Sequence, residues 1–195
     1  MKIKDIKPTE WAIGLGVAVI TYFVVKNFFS LSSLSKEDIK AVDDANSERM
    51  IRELHPKFRN TARAFINRVK KELGLTVFLT SGYRSFKKQQ ELYNKNKQNA
   101  KPGYSSHNYG FAMDVNVKDK SGKIILKMNT PDEVWKKSGV LDVAKKLGLR
   151  WGGGGAFGSY NDRVHFFIAP NGKTTTQLRA LHNAGKVDKN GYVIV

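Results

Sequence analysis

Residues 105–117 have the sequence SSHNYGFAMDVNV, a polar segment followed by one in which apolar and polar residues alternate. The alternation from Phe111 to Val117 predicts a β-strand. Asp114 falls in the middle of that strand among apolar neighbours. A carboxylate inside a sheet is costly to bury unless it is paired or binds a metal ion. Because His107 precedes Asp114 in the same stretch, both side chains are candidate metal ligands.

A second histidine, His165, lies near the start of a short apolar strand predicted at residues 164–168, and Asp162 precedes that strand. His107, Asp114 and His165 together offer two imidazoles and one carboxylate. Three such ligands leave a fourth zinc position for water, which is the arrangement of a catalytic zinc site rather than a structural one. The sequence therefore predicts a catalytic Zn²⁺ held by these three residues.

Two further charged residues are candidates for the chemistry itself. A carboxylate that is not bound to the metal can take a proton from water and pass it to a leaving amine, and we assign this role to Asp162. Arg84, within SGYRS at residues 81–85, is the candidate to stabilise an anionic transition state or to bind a substrate carboxylate. The alternatives are a turn-forming aspartate and an arginine in a structural ion pair.

Around these motifs the pattern predicts an α+β fold with a small antiparallel sheet flanked by helices, because helices and strands alternate without a regular βαβ rhythm. The predicted elements are a helix from Leu54 to Leu73 ended by Gly74, a strand at 75–80, a helix at 86–97, strands at 111–117 and 123–127 joined by a hairpin, a helix at 131–147, a strand at 164–168, and a short helix and a closing strand (192–195) within 174–195.

The N-terminus contains an apolar run from Trp11 to Val25, which Phe28, Phe29 and Leu31 extend. A membrane anchor, a cleaved signal peptide and a buried hydrophobic helix are the three interpretations. We predict an anchor or signal segment at 1–31, a linker at 32–47 and a domain with a catalytic zinc site at 48–195. Either of the first two interpretations places that domain outside the cytoplasm if the N-terminus stays inside.

Charge and composition limit the kinds of metal site and binding partner that the protein can have. The chain has 34 Lys and Arg against 17 Asp and Glu, a net charge of +17, and no cysteine. Any metal site must therefore consist of histidines and carboxylates, which excludes thiolate zinc modules. A basic protein attracts polyanions such as nucleic acid or the anionic cell envelope. The basic residues are scattered and no nucleic-acid-binding motif accompanies them, so nucleic acid is not the expected partner.

Four motifs carry a resemblance to a known family. Ser105-x-His107-x-x-Gly110-x-Ala112-x-Asp114 resembles the first metal motif of the D-Ala-D-Ala-type zinc metallopeptidases, which include VanY-like carboxypeptidases and L-alanyl-D-glutamate endopeptidases of phage endolysin type. Residues 162–166 resemble the second motif, residues 81–85 the arginine segment, and residues 151–153 the tryptophan-glycine turn before the second motif. The four occur in the family's order.

The resemblance implies the peptidase fold shared with the N-terminal domain of hedgehog proteins, zinc bound by His107, Asp114 and His165, an acid/base role for Asp162, and substrate contact by Arg84. We add Ser105, Tyr109 and Trp151 as predicted substrate-binding residues.

The resemblance also implies a substrate, the stem peptides of bacterial peptidoglycan. An aspartate at position 162 is similar to the endopeptidase branch, where the dipeptidase branch usually has glutamate, and favours cleavage between L-Ala and D-Glu. Such an enzyme would act in cell-wall lysis or penetration and would suit a phage-encoded protein. The alternatives are a D,D-carboxypeptidase of VanY type and, in another class, a non-catalytic zinc-fold binding or virion structural protein.

Overall fold

The computed structural model describes residues 34–158 and 160–195. The apolar segment predicted as an anchor or signal peptide lies outside these residues. Within them, no helix is both long and apolar enough to cross a membrane. Residues from Ser35 to Val195 form one compact unit, which contains all the predicted site residues.

The compact unit contains six α-helices and five short strands among the described residues. The helices are α1 (Ala45–Glu53), α2 (Pro56–Leu73), α3 (Phe86–Lys95), α4 (Asp132–Lys137), α5 (Val140–Lys146) and α6 (Thr175–Asn183), and the strands are β1 (Thr76–Ser81), β2 (Ala112–Lys118), β3 (Ile124–Leu126), β4 (Arg150–Trp151) and β5 (His165–Phe167). Two 3₁₀ turns, Ser106–Tyr109 and Pro170–Gly172, complete the list.

The strands form one antiparallel sheet in the order β1-β2-β5-β4, with β3 paired to β2. This sheet and its flanking helices confirm the predicted α+β class. β2 is the central strand, and the residues from Ala112 to Val115 are all buried. Its register places Asp114 opposite His165 on β5 and next to Ser81 on β1. The sheet therefore brings three distant segments together at one point.

Helix α2 covers the sheet; it ends at Leu73 as predicted and begins at Pro56, two residues after the predicted start. Pro56 occupies the first turn, where no intrahelical N–H is needed, and Gly74 ends the helix in a left-handed conformation with φ +66°. Phe65 on α2 is fully buried and contacts Phe166 on β5 with ring centroids 5.0 Å apart. The core thus lies directly beneath the strand that carries His165.

Two of the predicted elements differ in the structure, and α1 and β4 were not predicted. The single helix predicted at 131–147 is two helices, α4 and α5, because Gly139 adopts φ +78° and interrupts the helical path. The predicted closing strand at 192–195 is wrong, since only an isolated bridge joins Val187 to Val193. In that segment the Val193 carbonyl bonds the buried His55 ring at 3.0 Å instead of a neighbouring strand.

The segment predicted as a linker at 32–47 is part of the compact unit from Ser35 onward. Asp38 is buried and accepts a hydrogen bond of 2.8 Å from Arg68 on α2. Asn67 on α2 donates to the Asp38 carbonyl at 2.9 Å, and Val42 is 6% exposed. These contacts explain why a polar stretch packs: its carboxylates and carbonyls find partners on α2.

Gly110 allows the metal motif to approach the start of α2. It adopts φ +72°, and a Cβ atom there would lie 2.4 Å from the backbone nitrogen of His55. That nitrogen donates to the Gly110 carbonyl at 3.0 Å. Only glycine satisfies both the left-handed backbone and this contact, so Gly110 sets the path from the 3₁₀ turn into β2.

Candidate metal centre

The predicted ligands converge. His107 lies in the 3₁₀ turn, Asp114 on β2 and His165 at the start of β5, and these residues are 1%, 7% and 5% exposed. His107 Nε2 is 3.1 Å from Asp114 Oδ1 and 3.0 Å from His165 Nδ1. His165 Nδ1 is 3.0 Å from the same carboxylate oxygen. The three atoms form a nearly equilateral triangle.

Each imidazole has one ring nitrogen outside this triangle, and the hydrogen bond of that nitrogen indicates which ring nitrogen carries the proton. His107 Nδ1 is 2.6 Å from the Gly82 carbonyl, which can only accept, so Nδ1 carries the proton and donates. His165 Nε2 is 3.2 Å from the Ser106 hydroxyl. With a proton on that nitrogen, His165 Nδ1 also presents a lone pair to the triangle. Two imidazole lone pairs and one carboxylate oxygen then face each other with no donor among them.

A bound cation would accept all three of these electron pairs and so stabilise their close approach. Tetrahedral zinc with bonds of about 2.0–2.1 Å holds its ligand atoms about 3.3 Å apart, close to the separations seen here. Within the described residues, His107, Asp114 and His165 form the group of metal-ligating side chains whose ligand atoms can meet at one ion. Nitrogen and carboxylate ligands without cysteine suit zinc in a catalytic rather than a structural role. The residues therefore fit the predicted metal.

Arg84 contacts a predicted metal ligand. Its Nη2 donates to Asp114 Oδ2, the oxygen that does not face the triangle, and its Nε donates to the Ser81 hydroxyl at 2.9 Å. Burial by itself raises the pKa of Asp114, but the imidazoles of His107 and His165 outweigh burial and hold that pKa well below its usual range. Asp114 is thus a fully ionised ligand whose second oxygen is fixed by a guanidinium.

Asp162 lies beside the triad with its carboxylate uncommitted. Its backbone nitrogen donates to the Gly152 carbonyl at 3.0 Å, and its carbonyl accepts from the His165 nitrogen at 3.1 Å. No group in residues 34–158 or 160–195 donates a hydrogen bond to its side chain. Burial, and then the negative charge of Asp114, raise the pKa of Asp162. A partly buried carboxylate of raised pKa is suited to exchanging protons.

The other three residues predicted to bind substrate, Tyr109, Trp151 and Ser105, differ in their burial and in their hydrogen bonds. Tyr109 is 3% exposed, and its hydroxyl donates to the Gly103 carbonyl at 2.8 Å, so it supports the 3₁₀ turn from inside. Burial raises the pKa of Tyr109 to about 12. Trp151 is half-buried and donates from Nε1 to the Arg163 carbonyl at 2.7 Å. Ser105 is half-buried and its side chain makes no cap to the turn, so its role stays a prediction.

Three contributors to the site were not predicted. Ser106 and the Gly82 carbonyl orient the two imidazoles, and both lie inside the quoted motifs, where serine and glycine alone gave no chemical signal. Phe157, which is 43% exposed, contacts the His165 ring edge-on with centroids 5.7 Å apart. It forms an apolar wall beside the triad on the glycine-rich loop.

Replacing Arg84 with alanine is expected to weaken zinc binding about 10- to 100-fold, the usual effect of removing a group that orients a metal ligand. The physical reason is that Asp114 Oδ2 loses its buried partner. Competition between the protein and a chelator measures the affinity, and Arg150→Ala, an exposed arginine on β4, is the matched control. Unchanged zinc affinity with a raised KM would instead assign Arg84 to the substrate, as the sequence predicts.

The chain is similar to proteins of known activity. A family model described as VanY, D-alanyl-D-alanine carboxypeptidase, matches residues 51–152, just over half of the chain. The peptidoglycan L-alanyl-D-glutamate endopeptidase CwlK of Bacillus subtilis is 35% identical over 129 residues, which cover 61% of this chain and 75% of CwlK.

Solved structures also match. The L-Ala D-Glu endopeptidase ChiX of Serratia marcescens is 23% identical with a TM-score of 0.47, and the match covers 69% of this chain and 95% of ChiX. A mutant of the vancomycin-resistance D,D-pentapeptidase VanY, in complex with Zn(II), is 19% identical with a TM-score of 0.46, over 65% of this chain and 78% of that protein.

Proposed function

The chain belongs to the VanY family of D-alanyl-D-alanine carboxypeptidases, as its motifs predict, and from this premise we propose that it is a zinc-dependent peptidase of bacterial peptidoglycan. The observation that carries the proposal is the meeting of two imidazole lone pairs and one carboxylate oxygen within 3.1 Å, beside a second, uncommitted carboxylate. A binding protein that only keeps the fold needs the first feature but not the second.

His107, Asp114 and His165 would hold a zinc ion, which would supply Lewis acidity and make water more acidic. The chain's own residues do the rest. Asp162 accepts a proton from the attacking water and delivers it to the nitrogen of the leaving amine. Burial, the main cause of the raised pKa of Asp162, favours acceptance of the proton. Arg84 holds Asp114 in its ligating position, and the three ligand residues are themselves buried.

Cleavage between L-alanine and D-glutamate of the stem peptide is the proposed reaction. CwlK, at 35% identity over three quarters of its length, is named for this bond. The second candidate is removal of a terminal D-alanine, because the matching family model is described as a D-alanyl-D-alanine carboxypeptidase. Both reactions use the same ligands and the same acid/base, and they differ in which part of the stem peptide occupies the cleft.

Action on peptidoglycan places the working enzyme outside the cytoplasm. The net charge of +17 favours residence near an anionic envelope, because a field of that sign raises the local concentration of polyanions. From the sequence we also propose a membrane anchor at residues 1–31 and a role in lysis or wall penetration. A phage origin, and a domain fold similar to the N-terminal domain of hedgehog proteins, are proposals on the same basis.

Mass spectrometry of peptidoglycan digested by the zinc-loaded protein tests the proposed function and identifies the bond. We expect fragments whose stem peptides begin with D-glutamate, together with glycan that retains L-alanine. Release of free D-alanine would favour the carboxypeptidase instead. Intact peptidoglycan after incubation with protein that has bound zinc would contradict both and favour a binding protein.

A further inference from the structure

The proposed acid/base, Asp162, lies in a loop to which its own side chain makes no hydrogen bond among the described residues. Asp162 belongs to the glycine-rich connection between β4 and β5, which we call the Asp162 loop and which comprises the described residues 152–158 and 160–164. Since no described group donates to the Asp162 carboxylate, its position depends on how the neighbouring residues are held. That support comes from a residue outside the family motifs.

The support is Asp132, at the first position of α4. Its carboxylate accepts hydrogen bonds from Asn161 Nδ2 at 2.9 and 3.1 Å and from Arg163 Nε. It also accepts from the backbone nitrogen of Gly154 at 3.2 Å. Asn161 and Arg163 are the residues on either side of Asp162. One carboxylate therefore binds both neighbours of the proposed acid/base, and it binds the opposite arm of the loop as well.

The carboxylate of Asp132 is charged, and the helix that carries it, α4, is packed into the core. Hydrogen bonds from Asn161, and after them Arg163, outweigh partial burial and lower the pKa of Asp132, so it is ionised at neutral pH. Trp135, in the same helix, is fully buried and contacts Phe166 with ring centroids 6.0 Å apart. Helix α4, which carries Asp132, thus packs against β5, the strand that carries the metal ligand His165 beside the loop.

We propose that Asp132 is a positioning residue for the peptidase reaction, holding Asp162 in place beside the metal centre through Asn161 and Arg163. This inference rests on the proposed function, because a loop without a catalytic carboxylate needs no such precision. Hydrogen bonds to an ionised carboxylate are stronger than neutral ones, and they fix direction as well as distance. Misplacing a catalytic group by about 1 Å can cost about 100-fold in rate.

The test compares full-length, zinc-loaded Asp132→Ala with Asp38→Ala, which removes another aspartate paired with an arginine, one that lies before α1. We expect Asp132→Ala to lower kcat about 10- to 100-fold, with KM and bound zinc within about twofold. Asp38→Ala is expected to keep kcat within about twofold, whatever it does to stability. Asn161→Ala, which removes one arm of the contact, should lower kcat less than Asp132→Ala.

A readout that needs no activity accompanies the kinetics. Hydrogen–deuterium exchange of peptides covering residues 152–163 should rise in Asp132→Ala and stay unchanged in Asp38→Ala. An unchanged exchange pattern in Asp132→Ala, or faster exchange with kcat within about twofold of the unaltered protein, would overturn the inference. Loss of zinc in proportion to kcat would also overturn it, since Asp132 would then support the whole site.

The two proposals fail differently. If the unaltered protein binds zinc but releases nothing from peptidoglycan, the proposed function fails, and the positioning role of Asp132 in that reaction fails with it. If the unaltered protein is active and Asp132→Ala matches it in both kcat and exchange, the proposed function stands and the positioning role fails.

Discussion

Replacing His165 with alanine is expected to abolish both stable zinc binding and hydrolysis of peptidoglycan. His165 Nδ1 lies 3.0 Å from both Asp114 Oδ1 and His107 Nε2, so it contributes one full corner of the metal triangle. Without it two protein ligands remain, too few for a catalytic zinc site. Because the metal stabilises transition-state charge by several kcal/mol, kcat/KM should fall by more than about a thousandfold.

The measurements are zinc content after dialysis and the rate at which new amino termini appear in purified peptidoglycan. His182→Ala is the matched control, because His182 contacts the rings of Phe86 and Tyr109 and lies outside the metal triangle. The control protein should retain one zinc and nearly full activity. A His165→Ala protein that kept stoichiometric zinc would show that the ion binds elsewhere.

Replacing Asp162 with asparagine is expected to lower kcat about 100- to 10,000-fold, the range that general acid–base catalysis contributes. The amide has nearly the same shape as the carboxylate but cannot accept and return a proton. Zinc content should not change, because Asp162 is not a member of the ligand triangle. Steady-state kinetics on a soluble muropeptide, together with zinc analysis of the same sample, measure both quantities.

Asp142→Asn is the control for the change in charge, since Asp142 is an exposed residue on α5. Its kcat should equal that of the unaltered protein. Full activity in Asp162→Asn would remove Asp162 from the mechanism and return it to the simpler role of a turn residue. The variants of His165 and Asp162 together separate metal binding from proton transfer, because only the first loses the ion.

The sequence predicted the metal ligands because each lies in a local pattern that limits its environment. Alternation around Asp114 indicated a strand, and an acidic residue inside a strand needs a partner. The structure confirms that strand as β2 and pairs Asp114 with His165 on β5. The end of α2 at Gly74 was equally local, since it depends on a left-handed glycine.

The contacts that were not predicted are long-range. A motif marks Arg84 as a cation near the site, but its contact with Asp114 depends on the register of β1 against β2, which places Ser81 next to Asp114. The bonds from Asp132 to Asn161 and Arg163 join segments that share no motif. Pairings of this kind depend on tertiary packing, which no pattern of neighbouring residues encodes.

The misplaced elements have local causes that compete with periodicity. The apolar pattern at 131–147 continues through Gly139, so periodicity alone predicts one helix, whereas the left-handed glycine makes two. The apolar C-terminal residues resemble a strand, but the carbonyl of Val193 bonds to His55. In both cases a single backbone feature outweighs a correct hydrophobic pattern.

Titration of zinc into the metal-free full-length protein, followed by the release of amino termini from peptidoglycan, tests the metal centre most directly. We expect no activity without zinc, a linear rise as zinc is added, and a sharp break at one equivalent per chain. Chelation should reverse the rise. Hydrolysis by the metal-free protein, or a break at one equivalent that persists in Asp114→Ala, would contradict the assignment of His107, Asp114 and His165 as the ligands of a catalytic zinc.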